Sequence, residues 1–82
     1  MQINKGKVLK LNDGKEYVVV SLINYNTDKY IFIVDINKNE NFKICNLNQN
    51  KLIEVENVDL ILELMKLFNE DTKSIFMQNN NG

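Results

Sequence analysis

Tyr17-Val-Val-Val-Ser-Leu-Ile-Asn-Tyr25, then Asn26-Thr-Asp-Lys29, then Tyr30-Ile-Phe-Ile-Val-Asp-Ile36 is the stretch that decides the fold. Two runs dense in β-branched and aromatic residues flank a short polar break, which is the sequence mark of an antiparallel hairpin. Read at period two, Val18, Val20 and Leu22 share one face, and Tyr17, Val19 and Ile23 share the other. In the second run Tyr30, Phe32, Val34 and Ile36 oppose Ile31 and Ile33. Both faces are apolar, so the hairpin must be covered on both sides.

Working outward, residues 7–11 carry a weak strand signal that ends at Asn12-Asp13-Gly14. Asn or Asp before Gly favours a tight hairpin, because these residues tolerate positive φ and Gly accepts it freely. A Gly-containing anion loop would need more glycines and a following helix, and neither is present. The strands of the central hairpin read as about 15–24 and 29–36. After the polar cluster Asn37 to Asn41, short strands follow at about 42–46 and 51–56, separated by a turn at 46–50 interrupted by Leu47. Five short strands at hairpin spacing predict a mainly β chain: a small five-stranded curled sheet or partly open barrel of SH3-like type. Curling covers one face of the hairpin.

One C-terminal helix, predicted over about 58–69, covers the other. Asn57 is placed to cap its first amides, and Asp59 and Glu63 lie towards its positive end; Leu60 at the third helical position leaves no capping box. At 100° per residue, Asp59, Glu63, Lys66 and Glu70 form one narrow stripe. The apolar residues fill an arc of roughly 220°, where about 100° suffices for a helix lying on one surface. The surplus points to a second contact, with Leu62, Met65 and Leu67 near the margins. Glu70 and Asp71 suit a helix C-terminus poorly, so the helix should stop near Phe68 or Asn69. Ser74-Ile75-Phe76-Met77 then reads as a short strand or clamp, adding Ile75 and Phe76 to the predicted interface. The chain reads as a single small domain over 1–78, with 79–82 frayed.

Charge is nearly balanced, ten lysines against eleven carboxylates, with no arginine. That argues against a dedicated nucleic-acid binder, which uses a basic excess and bidentate arginine contacts, and against an acidic nucleic-acid mimic. The lack of Arg, Pro, His and Trp beside abundant Asn, Lys and Ile fits an AT-rich coding sequence, as in a low-GC bacterium or a phage or plasmid within one. A single cysteine permits no internal disulfide, and no stretch approaches the roughly 20 apolar residues of a membrane span. The expected location is cytoplasmic.

The residues offer little chemistry. Without histidine, the commonest general base and metal ligand is missing. Cys45 lies in a predicted strand with no histidine partner and reads as structural. Asp13, Asp35, Glu40, Glu54 and Glu56 are scattered; Glu54 and Glu56 share a strand face, but as solvated edge charge rather than as a catalytic or metal pair. No catalytic, cofactor or metal residue is therefore assigned. The aromatics Tyr17, Tyr25, Tyr30, Phe32 and Phe42, with Lys29 and Lys43 nearby, are the candidates for a base-stacking surface. Core packing is the simpler account for all but Tyr25, which falls in the predicted turn and is the one candidate ligand-facing ring.

The pattern Leu11-Asn12-Asp13-Gly14-Lys15-Glu16-Tyr17-Val18-Val19, then Tyr30-Ile31-Phe32-Ile33-Val34, then a short strand and an apolar helix, resembles a family of short uncharacterised proteins of low-GC Gram-positive bacteria. The likeness covers about Lys7 to Phe68, although this chain lacks that family's strongly acidic character. It implies a small β-barrel with a C-terminal helix, and no activity, cofactor or site. The functional expectation is a non-enzymatic protein–protein interaction or homo-oligomerisation module using surplus helix surface. The alternatives are a phage- or plasmid-encoded inhibitor or accessory protein acting on a host complex, and a single-stranded nucleic-acid-binding small barrel.

Overall fold

A computed structural model describes residues 3–80, with side chains described for residues 3–71. Five strands, Val8–Lys10 (β1), Glu16–Tyr25 (β2), Asp28–Asp35 (β3), Phe42–Asn48 (β4) and Lys51–Glu54 (β5), are followed by one helix, Val58–Asn80 (α1). The strands form an antiparallel meander in the order β1-β2-β3-β4-β5, curled into a half barrel with the helix across its outer face. The mainly β architecture read from the alternation is the one observed.

Turn chemistry sets the hairpins. Leu11 and Lys15 close a three-residue loop over Asn12-Asp13-Gly14: the Leu11 amide donates to the Lys15 carbonyl and the Gly14 amide to the Leu11 carbonyl, both at 3.0 Å. Gly14 takes φ of 81°, where it carries no steric cost. The β2–β3 and β4–β5 connections are two-residue turns with positive φ at both residues, Asn26 and Thr27 in one and Gln49 and Asn50 in the other. This is the type I′ arrangement that matches strand twist. Thr27, at φ 69°, is the poorest fit, because a β-branched side chain resists the left-handed region. Thr27→Gly should therefore raise stability by about 0.5–1 kcal/mol, relief of left-handed strain less the entropy cost of glycine. An increased urea midpoint at unchanged m-value is the check.

The concave face holds one core: Ile3, Leu9, Tyr17, Val19, Ile31, Ile33 and Cys45 are buried, with Leu11, Leu22, Leu47 and Leu52 packed around them. The outer face holds a second under the helix, where Tyr30, Ile44, Leu64 and Phe68 are buried among Ile23, Phe32, Val55, Leu60, Ile61 and Met65. Two covers for two apolar faces is what the hairpin demanded.

The face assignment of β2 needs one correction. Val19 pairs with Ile33 and Ser21 with Phe32, so Val20 is an extra, unpaired residue, a β-bulge. Beyond it the period-two alternation is reset. Leu22 joins Tyr17 and Val19 on the concave face, while Ile23 turns to the helix side opposite Tyr30. The reset also carries Ser21, fully buried, to the helix side. There its hydroxyl donates to Asp71 Oδ2 at 2.5 Å, and Lys5 Nζ reaches the same oxygen at 2.9 Å.

Three boundaries also differ from the sequence reading. Strand β5 ends at Glu54 rather than near residue 56, so Glu56 lies in the connection to the helix and shares no strand face with Glu54. Strand β4 continues to Asn48, because Leu47 pairs with Leu52 and packs into the concave core rather than interrupting a turn. The helix does not stop near Asn69 but runs to Asn80, so residues 74–77 are helical backbone and not a strand. No Gly or Pro falls between Val58 and Asn80 to end it. With further turns following, Glu70 and Asp71 are not at the negative end, and Asp71 is held by Ser21 and Lys5 instead. At the other end Asn57 acts as the cap, its Oδ1 accepting from the Leu60 amide at 3.0 Å. Of the expected frayed tail, residues 79–80 are helical backbone and residues 81–82 lie outside the described residues.

Candidate functional site

Two surfaces of this fold combine exposure with chemical character: the open mouth of the half barrel and an apolar strip on its outer face.

The mouth lies between β1 and β5. Leu9, Lys10, Leu11, Asn12 and Asp13 line one side and Asn50, Leu52 and Glu54 the other, with Lys43 and Cys45 of β4 as the floor of a cavity of about 430 Å³. Several of its polar groups are engaged. Asp13 Oδ1 accepts from the Lys15 amide and Oδ2 from the Tyr17 hydroxyl, each at 2.9 Å. The Lys15 amide is the main reason the Asp13 carboxyl is held below its usual range, with the Tyr17 hydroxyl adding to it against the opposing effect of burial. Tyr17 moves the other way, raised first by burial and then by its bond to Asp13. Lys43 Nζ donates to Glu54 Oε1 at 3.0 Å, and that bond raises the lysine. Burial, with Glu54 nearby, pushes the Cys45 thiol up to about 11, so at neutral pH it is a thiol and a poor nucleophile. The mouth thus sets the apolar side chains of Leu9, Leu11, Cys45 and Leu52 beside fixed charges of both signs. Among the described residues no cluster of three or more His, Cys, Asp or Glu converges as a metal site.

The outer strip follows from register. Val8 pairs with Val18, Val18 with Val34, and Val34 with Phe42, an apolar row across four strands. Val8 and Phe42 at its ends are each 48% exposed. Phe42 stacks on Phe32 at 5.2 Å with the rings nearly parallel. Phe32 in turn lines a small notch with Met65, Phe68 and Asn69 of the helix. Met65 leads along the helix to Leu62, 59% exposed, and Val58, 67% exposed. One apolar path therefore runs from Val8 on β1 to Val58 at the start of α1.

The residues singled out in the sequence distribute unevenly over this surface. Leu62 and Met65 lie on it. Leu67, half-buried, projects about 160° around the helix from Met65 and belongs to the opposite flank. The side chains of Ile75 and Phe76 lie outside the described residues. Tyr25 ends β2 rather than occupying the turn, and it is half-buried with its ring edge-on to Tyr30 at 6.5 Å. Tyr17 and Tyr30 are buried, so among the described side chains the tyrosines offer no row of free rings. Sequence reasoning missed the Val8–Phe42 row altogether. Its members belong to four separate segments, and only their pairing register aligns them.

No protein-family model matches the chain, and no curated protein or solved structure matches it significantly.

No described helix is long and apolar enough to cross a membrane.

Proposed function

We propose that this chain is a non-enzymatic interaction module that self-associates through its outer apolar strip. The observation that carries this reading is the continuous path Val8–Val18–Val34–Phe42–Phe32–Met65–Leu62–Val58, left open beside a helix that already covers the rest of that face. Apolar patches of this kind on small proteins mark interfaces. A two-fold axis through the strip lets it meet its own copy, since a self-complementary surface needs only one patch. A net charge of −1 sets little long-range repulsion against such pairing.

Light scattering behind size-exclusion chromatography, over a concentration series, tests the proposal. The expected result is a mass near twice that of the chain at the upper concentrations. Leu62→Lys and Phe42→Lys should each return the monomer, and because both side chains are exposed the fold should survive. A monomer throughout, or a dimer indifferent to both substitutions, would sink the proposal.

A further inference from the structure

We propose that the open seam between β1 and β5 receives one extended strand of another protein, which completes the half barrel. The incoming strand is apolar at alternate positions facing the cavity and acidic beside Lys10 and Lys51. The proposal concerns a different surface from the outer strip and does not depend on self-association.

Backbone direction identifies the groups on offer. The Lys7 carbonyl accepts from the Val19 amide and the Leu11 amide donates to Lys15, so the odd-numbered residues of β1 address β2. By the alternation of an antiparallel ladder, the N–H and C=O groups of Val8 and Lys10 then face the seam. On the other side the Val55 amide donates to the Ile44 carbonyl, so Ile53 and Val55 address β4, and Leu52 and Glu54 present their backbone to the seam. The ladder ends at β1 and β5, which do not pair with each other.

Strand parity says what fits. In a five-stranded meander the first and last strands run in the same direction. A single strand placed between them runs antiparallel to both and makes an all-antiparallel barrel of six. The five described strands are already committed to the meander, so no described strand is left to fill the seam. The incoming strand's inward side chains would meet Leu9, Leu11, Cys45 and Leu52 in the cavity of about 430 Å³. Its outward side chains would lie between Val8, 48% exposed, and Ile53, 52% exposed, which stand on the outer faces of the two edge strands. Lys10 and Lys51 are exposed on those same edges. Edge lysines keep identical edges apart, and by the same charge they favour a strand carrying Asp or Glu at the matching outward positions. Strand addition of this kind takes its affinity from main-chain bonds and its selectivity from alternate side chains.

The test is selection of displayed random peptides of roughly 10 residues against the full chain, followed by synthesis of the winners. The expected winners show period-two apolar residues with Asp or Glu between them. Joint Lys10→Glu and Lys51→Glu substitution, both on exposed side chains, should weaken them about tenfold or more. N-methylation of single central amides of the peptide leaves the protein untouched and is the sharper probe. Successive amides of an inserted strand point to opposite edges, so methylation at each of two adjacent positions should weaken binding about tenfold. Sensitivity at every second amide only would mean addition to one edge and would overturn closure of the seam. Winners that are helical or proline-rich, winners indifferent to N-methylation, or no winners at all would overturn the proposal outright. Peptide binding by a chain that stays monomeric would support the seam and count against self-association.

Discussion

Phe68→Ala is expected to cost about 4 kcal/mol, the range found when a large buried aromatic is truncated. The ring is 2% exposed and lies edge-on to Phe32 at 5.4 Å, within the cluster that joins helix to sheet. Leu64, one turn before it, is itself fully buried in the same cluster. A chain of this length should hold only about 4–12 kcal/mol in all, so the loss consumes a third or more of the total. The consequence is more than a lower midpoint. The helix is the only cover of the outer core among the described elements, and once it loosens, Tyr30, Ile44 and Ile23 face water. Urea unfolding followed by far-ultraviolet circular dichroism and by tyrosine fluorescence should show the large loss. A cost below about 1.5 kcal/mol would mean that the outer core repacks freely and that the helix is not its essential cover.

Asp71→Ala comes second, at about 2–3 kcal/mol. The Ser21 hydroxyl is fully buried and donates to Asp71; removing the acceptor loses a charge-assisted hydrogen bond and strands a buried polar group. Lys5 contributes less, because its ammonium is well exposed and the pair is screened by solvent. If orphaning of Ser21 is the main cost, the double variant Ser21→Ala/Asp71→Ala should be no less stable than Asp71→Ala alone. Additive losses would refute that account.

The same contact carries a pH signature. The Ser21 hydroxyl first, and Lys5 second, hold the Asp71 carboxyl below its ordinary 3.8. A carboxylate depressed in the folded state adds stability that is fully present above the unfolded value. It is lost as pH falls through the folded one, because in that window the unfolded chain binds the proton more readily. The urea midpoint of the parent should therefore fall below about pH 4 more steeply than that of Asp71→Asn. Identical slopes would remove Asp71 from the account of acid sensitivity.

Leucine, valine and isoleucine on both faces of residues 17–36 were enough to require a sheet covered twice, and Asn12-Asp13-Gly14 and Asn57 were enough to place a turn and a helix start. These are local matters: period-two alternation, tolerance of positive φ, and an amide acceptor at a helix end, each legible within a few residues. The bulge at Val20 is not of that kind, since a run of three valines gives no sign of which one the partner strand skips. The pairing of β2 with β3 decides it, and with it the exchange of Leu22 and Ile23 between faces and the delivery of Ser21 to Asp71, fifty residues away. The end of the helix went the same way. Glu70 and Asp71 read as a stop by local electrostatics, until a buried hydroxyl and a lysine from the far end of the chain gave Asp71 its partners. The outer apolar strip and the seam between β1 and β5 are likewise products of register and curl. Their residues come from segments that meet only once the sheet has formed, and no window of sequence contains them together.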